Sequence, residues 1–388
     1  MTTDDPNLPP SPPLSFNYDY LIVGCGLSGA VIAQQLASRH SKKSLIIESR
    51  DHIGGNCYDY RDPDTNIIVN KYGAHLFHTN NKRVWDYVNQ FDTWKRWEHK
   101  VLSYVDNRFV SIPVNITTVN ELLDQNLQTS EEMHQWLQEN QETYSTIENS
   151  EQMAKSRIGT KLYDKMIRDY TFKQWNKYPE SLDKSILARI PIRTNFDTRY
   201  FNDRYQALPA KGYTHFFQRL LDHPLIDYRL NTDFFDFKQK YNLTDIPIVY
   251  TGPIDAYFSG LGLEKLEYRS IDFHLEKHFN MNFYQPCGAV NYPSKDVPYT
   301  RIIEYKHFLN QQSPHTITVS ETTNDTGEPY YPVLNKKNLE LYQKYQKLAT
   351  ELQEREKIYF VGRLANYKYF NMDQAIENAL DFFDRVLD

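Results

Sequence analysis

The sequence predicts an α/β protein that combines a parallel β-sheet with a helical domain and an antiparallel β-sheet domain. The parallel sheet is indicated by an apolar run at 18–23 that enters a cluster of glycines. Later apolar runs at 246–250 and 357–361 have the composition of further buried parallel strands. The helical domain is indicated by 121–167, which has little Pro or Gly, and the antiparallel sheet by alternating runs within 268–319.

The composition excludes several classes of protein. Lys and Arg total 44 against 50 Asp and Glu, a net charge of −6 without a long basic run, which argues against nucleic acid as the main partner. No apolar stretch approaches the roughly 20 residues of a membrane-spanning helix. The N-terminus lacks the basic and apolar regions of a signal peptide, and 3 cysteines without a CxxC pair favour a reducing compartment. We therefore expect a soluble, cytoplasmic protein.

The first glycines form a GxGxxG motif, at 24–29, between a predicted strand and a predicted helix. Gly24 allows the tight turn out of the strand, Gly26 lets a pyrophosphate approach the backbone, and Gly29 lets the helix pack closely on the sheet. A second strand at 44–47 ends at Glu48, where an acid accepts hydrogen bonds from ribose hydroxyls. This order of elements predicts a Rossmann-like dinucleotide-binding domain.

A second glycine pair, Gly54-Gly55, follows the ribose acid and favours FAD over NAD. This extension is typical of FAD-binding proteins with two dinucleotide domains, and an NAD enzyme does not need it. The cofactor-binding residues predicted from this segment are Gly24, Gly26, Leu27, Ser28, Gly29, Glu48, Ser49, Arg50, Gly54, Gly55 and Asn56.

The predicted domains are discontinuous along the chain. A proline-rich tail covers 1–17, since 5 of the first 13 residues are Pro. The remaining boundaries are 18–82, 208–256 and 340–388 for the FAD-binding domain, 112–186 for the helical domain, and 83–111, 187–207 and 257–339 for the antiparallel sheet domain. The last segment ends in a predicted helix with Asn371 as its N-cap.

Motifs spread from about residue 18 to the end of the chain resemble those of one enzyme family. They are GCGLSG (24–29), IGGN (53–56), YGAHLFHT (72–79), YTFKQW (170–175), RIPIR (189–193), RYFNDRY (199–205), PYTR (298–301), PYYP (329–332), FVGR (360–363) and YKY (367–369). In this combination the chain resembles the UDP-galactopyranose mutases, FAD-dependent isomerases of three domains.

The resemblance implies that the protein interconverts UDP-galactopyranose and UDP-galactofuranose. The family's reaction requires reduced FAD, passes through an adduct between flavin N5 and the sugar, and has no net redox change. NAD(P)H or another reductant is then expected as a partner, and a homodimer is possible in the family.

The resemblance also assigns roles to individual residues. Arg189 and Arg301 match the arginines that hold the diphosphate, and with His78 they are the predicted catalytic residues. Further cofactor-binding residues are His75, Gly362, Arg363, Met372 and Asp373. The predicted substrate-binding residues are Tyr170, Thr171, Gln174, Trp175, Arg189, Tyr200, Asn291, Arg301, Tyr330, Tyr369 and Asn371. No metal site is predicted.

Several alternatives stay open at this stage. The tandem Tyr330-Tyr331 allows a one-residue slip in the assignment of the phosphate ligand, and Asn371 stands where many relatives have Asp. An FAD-dependent amine or alcohol oxidase would share the glycine motifs but would not need the two arginines. A non-catalytic flavoprotein that binds a UDP-sugar is the third hypothesis.

Overall fold

A computed structural model of the protein describes residues 16–188 and 192–387. Most of the predicted tail therefore lies outside the described residues, and so does Arg189, the first of the two predicted diphosphate arginines.

The strands are numbered in chain order. They are β1 (Tyr20–Val23), β2 (Ser44–Ile47), β3 (Asp59–Arg61), β4 (Ile68–Asn70), β5 (Phe77–Thr79), β6 (Trp94–Arg96), β7 (Val101–Val105), β8 (Arg108–Ile112), β9 (Tyr205–Pro209), β10 (Ile226–Arg229), β11 (Ile248–Tyr250), β12 (Tyr268–His278), β13 (Ala289–Asn291), β14 (Arg301–Glu304), β15 (Thr316–Asn324), β16 (Tyr331–Pro332) and β17 (Ile358–Phe360).

The α-helices are numbered in the same way. They are α1 (Leu27–His40), α2 (Lys82–Val88), α3 (Ile116–Leu123), α4 (Ser130–Asn140), α5 (Ser150–Leu162), α6 (Arg168–Trp175), α7 (Ser185–Ala188), α8 (Tyr213–Leu220), α9 (Phe234–Lys240), α10 (Ile254–Tyr257), α11 (Lys336–Glu356) and α12 (Met372–Phe382). Among the described residues, none of these helices is both long and apolar enough to cross a lipid bilayer.

The four strands predicted for the nucleotide-binding domain form one parallel sheet together with β10, which was not predicted; the order is β10-β2-β1-β11-β17. Helix α1 connects β1 to β2 and packs on α12, so the first and last elements of the chain cover the sheet together. The apolar runs of β1, β2 and β11 are buried, as expected for strands covered on both faces. Because all five strands run in the same direction, their carboxyl ends meet at one edge, where ligands bind in such sheets.

A second sheet of seven strands, ordered β16-β12-β15-β14-β13-β7-β8, is antiparallel except for the pair β13–β7. Its longest pairing joins β12 to β15 over nine residues of each strand. The small sheet β5-β9-β6 connects segments that are far apart in sequence. The helices α3, α4 and α5 share a separate apolar core with β8, built around Val119, Met133 and Leu162.

Helix α6 connects the helical segment to the antiparallel sheet. Arg269 on β12 donates from Nε to the carbonyl oxygen of Gln174 at 3.0 Å and also binds the side chains of Thr323 and Asp325. The Thr323 hydroxyl in turn donates to the carbonyl oxygen of Lys173. These contacts set the position of α6 relative to the strands that follow.

Candidate active site

The first glycine loop leaves β1 and leads directly into α1. Gly24 has a φ of +101°, and a Cβ atom on Gly29 would collide with the carbonyl oxygen of Gly24. The N-cap of α1 is Gly26, which has no side chain to cap the helix, and the first turn contains no acidic residue. The N–H groups of this turn are therefore oriented to receive an anion such as a pyrophosphate.

The second glycine pair packs against the first loop. Gly55 has a φ of +54°, and a Cβ atom on it would lie 2.9 Å from the Cα of Gly26, so Gly55 must be glycine for the two loops to meet. Glu48, at the end of β2, accepts from the backbone N–H of Cys25 at 2.9 Å and from that of Arg50 at 3.0 Å. Its carboxylate is thereby fixed next to the loop while keeping lone pairs for a ribose hydroxyl.

The end of β17 contributes to the same edge of the parallel sheet. Gly362 has a φ of +106°, and a Cβ atom there would lie 2.7 Å from the Ser28 hydroxyl in the first turn of α1. The next residue, Arg363, has a buried Nε, and Asp373 in α12 has a buried Oδ1; neither atom has a hydrogen-bond partner within 16–188 and 192–387. Buried polar atoms of this kind are normally satisfied, so they indicate a polar ligand at this edge.

These features fit FAD. The glycine cradle and the first turn of α1 would hold the pyrophosphate, Glu48 the ribose, and Arg363 and Asp373 polar groups of the flavin end. The other predicted cofactor residues belong to segments at or next to this edge of the sheet. They are Leu27 and Ser28 in α1, Ser49 and Arg50 after β2, Gly54 and Asn56 in the second turn, His75 before β5, and Met372 at the start of α12. Arg50 binds Asn56 at 2.9 Å, pairs with Glu328 and stacks over Tyr72.

Arg301, the second predicted diphosphate arginine, lies in the antiparallel sheet beside another predicted site residue. The strand register pairs Asn291 with Arg301 and Arg301 with Glu321, so the three residues form one row across β13, β14 and β15. Residues opposite each other in neighbouring strands share a face of the sheet. Arg301 Nε donates to Glu321 Oε2 at 2.5 Å, and the side chain of Glu321 is only 2% exposed. Burial by itself would lower the pKa of the Arg301 guanidinium. The neighbouring groups, Glu321 first among them, outweigh this effect, so the pKa is raised.

Tyr331 and Tyr369 stack beside Arg363. Their ring centroids are 5.2 Å apart at an interplanar angle of 14°, and the guanidinium carbon of Arg363 lies 4.8 Å and 5.0 Å from the two centroids. Burial and the neighbouring Tyr369 raise the pKa of Tyr331, whereas the positive charge of Arg301 lowers it. The resulting pKa is about 12. The tyrosines therefore present hydroxyl donors next to two arginines.

Tyr330, the predicted phosphate ligand, lies elsewhere. Its ring is 5.8 Å from that of Phe273 and 6.3 Å from that of Tyr72. It is buried in this aromatic contact. Because successive side chains of a strand point to opposite faces, only one of the two tandem tyrosines can face Arg301. The arrangement favours Tyr331 as the one near Arg301. Which of the two tyrosines binds a phosphate stays a prediction.

Helix α6 brings the predicted uridine-side residues to the border of this cluster. The Tyr170 hydroxyl is within electrostatic reach of Arg301, Tyr200 and Tyr331, and burial raises its pKa. Thr171 is buried and Gln174 is half-buried. Trp175 is 4% exposed and packs in an apolar cluster with Tyr369 at its border, so its ring is largely covered by protein.

Histidines near the arginines are held neutral. Burial lowers the pKa of His75 to about 4, helped by the charges of Arg363 and Arg301, although the ring bonds to the Gly73 carbonyl oxygen. Burial, together with the nearby Arg301 and His78, lowers the pKa of His99 to about 3. His78 contacts Asp203 Oδ2 through Nδ1 at 2.9 Å and stacks on Phe201.

The remaining predicted substrate residues occupy the rim. Tyr200 donates its backbone N–H to the carbonyl oxygen of His99 at 2.8 Å, and its side chain is an electrostatic neighbour of Tyr170. Asn371 is exposed at the N-cap of α12, where its N–H donates to the side chain of Gln374 at 2.9 Å. Asn371 is the N-cap of α12, as the sequence predicts, and the bond to Gln374 is made by its backbone N–H.

The sequence did not single out several residues that the structure brings into the site. Glu321, His99, Asp203 and Lys173 belong to this group. Asp203 and Lys173 fall inside recognised motifs, but Glu321 and His99 carry no local signal. Their position follows from strand register and burial, which a single sequence does not reveal.

Comparisons with known proteins agree with this geometry. The family model for UDP-galactopyranose mutase matches residues 165–369, and a model for an NAD(P)-binding Rossmann-like domain matches 22–91. A protein named Probable UDP-galactopyranose mutase, from Klebsiella pneumoniae, is 38% identical, and the match covers 96% of this chain and 95% of that protein.

The chain belongs to the UDP-galactopyranose mutase family.

Another relative is the dTDP-fucopyranose mutase of Escherichia coli, 35% identical over 93% of this chain and 96% of its own length. A crystal structure of reduced UDP-galactopyranose mutase, 18% identical, has the same fold with a TM-score of 0.74 over 96% of each chain. The predicted family, Rossmann-like α/β fold, isomerase class and FAD cofactor are confirmed. The roles of individual site residues stay predictions.

Proposed function

We propose that this member of the UDP-galactopyranose mutase family interconverts UDP-galactopyranose and UDP-galactofuranose. The observation that carries the proposal is the cluster of Arg301, Arg363, Tyr331 and Tyr369 between the FAD cradle and α6. The guanidinium of Arg301 is paired with the buried carboxylate of Glu321, and that of Arg363 lies over the rings of Tyr331 and Tyr369, so cationic groups and hydroxyls that a diphosphate could bind lie in one place. An amine or alcohol oxidase has no need of such a cluster.

Arg301 would hold the diphosphate while the bond to the sugar is broken and remade. Its pKa is raised by Glu321, so it stays charged at every working pH and can oppose the charge on the departing UDP. The Glu321 carboxylate fixes the guanidinium through Nε and leaves the two terminal nitrogens available for phosphate oxygens. Tyr331 and Tyr369 would add neutral hydroxyl donors, and we propose that Arg189 completes the group.

Neutral side chains would surround the sugar. His75 and His99 are uncharged at pH 7, so each imidazole can donate from one nitrogen and accept at the other. The Nδ1 of His99 is buried and has no partner among the described residues, which makes it available to a sugar hydroxyl. Reduced FAD, when bound, supplies the nucleophile for the anomeric carbon, with no net redox change.

The relative that acts on dTDP-fucopyranose supports a second candidate substrate. The protein named for that substrate is a mutase and is 35% identical to this chain. A diphosphate site of the kind proposed above would serve either nucleotide, so the base and the sugar decide between the two substrates.

The deciding experiment uses FAD-loaded protein reduced with dithionite. We expect UDP-galactofuranose to be converted to UDP-galactopyranose, measured by chromatography, without lasting change in the flavin spectrum. Parallel reactions with the dTDP-fucose pair identify the preferred nucleotide sugar. If neither pair reacts while UDP still binds, the protein is a non-catalytic binder; oxygen consumption driven by an amine or alcohol would instead identify an oxidase.

Replacing Arg301 tests the diphosphate role directly. Arg301→Ala should lower turnover and UDP affinity at least roughly tenfold with FAD still bound, because a charge-assisted contact to the leaving group is lost. Arg301→Lys keeps a charge beside the buried Glu321 and should retain part of the affinity. Arg219→Ala removes an exposed arginine of α8 that pairs with Asp222 and serves as the control. If Arg301→Ala turns over as fast as the unchanged protein, Arg301 does not hold the diphosphate during the reaction.

We propose NAD(P)H or another reductant as the electron source for FAD and a homodimer as the assembly. Cytoplasmic location is likewise a proposal. Reduction of the bound flavin by each nicotinamide nucleotide, followed by absorbance, and light scattering of the purified protein test the first two.

A further inference from the structure

Lys173 lies in the middle of the helix that carries the predicted uridine-side residues, but its side chain points to a different part of the molecule. Its Nζ is within hydrogen-bond distance of four backbone carbonyl oxygens, those of Tyr292, Ser294, Val297 and Tyr299, at 2.5, 2.7, 3.3 and 2.8 Å. All four belong to one loop, residues 292–299.

This loop connects two residues of the proposed site. It begins directly after Asn291, the last residue of β13, and ends just before Arg301, the first residue of β14. Its ends are joined by the bond from the N–H of Tyr292 to the carbonyl oxygen of Thr300, at 2.8 Å. The lysine binds the inside of the turn, so the path of the chain into Arg301 depends on this contact.

The electrostatics suit a lysine at this point. Burial, opposed by Asp169 on α6 and Asp296 in the loop, lowers the pKa of Lys173 to about 8, so the ammonium is still mostly protonated at pH 7. Its three N–H donors are then shared among four carbonyl oxygens, which would otherwise face one another across the loop. The nearby Lys295 contacts Asp169 and the Tyr178 hydroxyl.

We propose that Lys173 is a positioning residue that couples the nucleotide-contacting helix α6 to the diphosphate-binding Arg301 by organising loop 292–299. This inference rests on the proposed function of Arg301 and adds the element that places it. Arg269 and Thr323 hold the end of α6 on strands β12 and β15, and Lys173 adds the contact from α6 to the loop that leads into Arg301.

The test replaces the ammonium by an apolar side chain of similar length. In FAD-loaded Lys173→Met, we expect the Kd for UDP, measured by calorimetry, to rise roughly tenfold or more, which corresponds to about 1.4 kcal/mol. The KM for the substrate should rise by a similar factor with kcat changed much less, because bound nucleotide reorders the loop. Amide hydrogen exchange should become faster in peptides covering 292–301, with FAD content unchanged.

Lys177→Met is the matched control. Lys177 follows α6 and also pairs with the sheet domain, with Glu267 at 2.7 Å, but it does not contact loop 292–299. It should leave both UDP affinity and exchange of the loop unchanged.

The outcomes separate the two proposals. If wild-type protein neither binds UDP nor converts the substrate, the proposed function fails. If wild-type protein binds UDP but Lys173→Met binds it equally well, or loses affinity only together with FAD, the positioning role is wrong. Slow, unchanged exchange in the loop of Lys173→Met would also contradict it.

Discussion

The tandem tyrosines show how much depends on single residues in this site. Tyr331 stacks on Tyr369 under Arg363, whereas the adjacent Tyr330 packs against Phe273 on the other side of the strand. The two residues have the same side chain and neighbouring positions, but strand alternation gives them different surroundings. We therefore expect Tyr331, and not Tyr330, to donate to a phosphate.

This difference leads to a prediction in which the two tyrosines control for each other. Tyr331→Phe should weaken UDP binding by roughly threefold to tenfold, since one hydrogen bond contributes about 0.5–1.5 kcal/mol net. Tyr330→Phe removes a hydroxyl but keeps the packed ring, and UDP affinity should not change. Calorimetric titration of both FAD-loaded variants with UDP is the measurement. If the two substitutions change UDP affinity by the same factor, the proposed difference between Tyr331 and Tyr330 is wrong.

At the scale of the element, the strand–turn–helix unit of β1 and α1 is specified by steric limits. Gly29 has ordinary helical geometry, but a Cβ atom there would collide with the backbone of Gly24, which lies in the loop before the helix. The glycine is therefore needed for close packing of α1 on the loop that is proposed to bind the pyrophosphate.

We expect Gly29→Ala to lower FAD occupancy and to destabilise the protein by about 1–3 kcal/mol, because the collision is with backbone and is relieved only by moving the helix. The absorbance ratio of flavin to protein and thermal unfolding would measure the two effects. Gly260→Ala is the control, as a Cβ atom at Gly260 meets nothing within 4 Å. Full FAD content in Gly29→Ala would show that the loop tolerates the displacement.

At the scale of the whole molecule, the active site depends on contacts between parts of the chain that are far apart. Arg269 on β12 is 2% exposed and contacts Gln174, Thr323 and Asp325, which connect α6 to the antiparallel sheet. Lys173 adds the connection to the loop before Arg301. The parallel sheet supplies the FAD edge, and the other two domains supply most of the residues proposed to bind the nucleotide.

Arg269→Met should therefore destabilise the fold. The Gln174 carbonyl oxygen would lose a buried donor, and a group left unsatisfied in this way costs about 1–3 kcal/mol. The Thr323 hydroxyl keeps its bond to the Lys173 carbonyl oxygen, so its loss adds less. Asp325 is more than half exposed and can be solvated, so its loss adds little. Denaturant unfolding followed by tryptophan fluorescence would measure the change. Arg355→Met, at an exposed arginine of α11, should have no comparable effect.

Features that are local along the chain could be predicted from the order of the amino acids. The glycine motif, Glu48 and the second glycine pair lie within about 30 residues, and their spacing specifies a dinucleotide-binding turn whatever the rest of the fold does. Helical and strand periodicity likewise indicated the types of the later segments, and the motifs indicated the family.

Only the tertiary structure decided which distant residues meet. The row of Asn291, Arg301 and Glu321 depends on the register of three strands, and a shift of one residue would turn each side chain to the other face. The same alternation selects Tyr331 over Tyr330. The contact of Lys173 with loop 292–299 joins segments more than 100 residues apart, and such a contact depends on the packing of whole domains and not on sequence spacing.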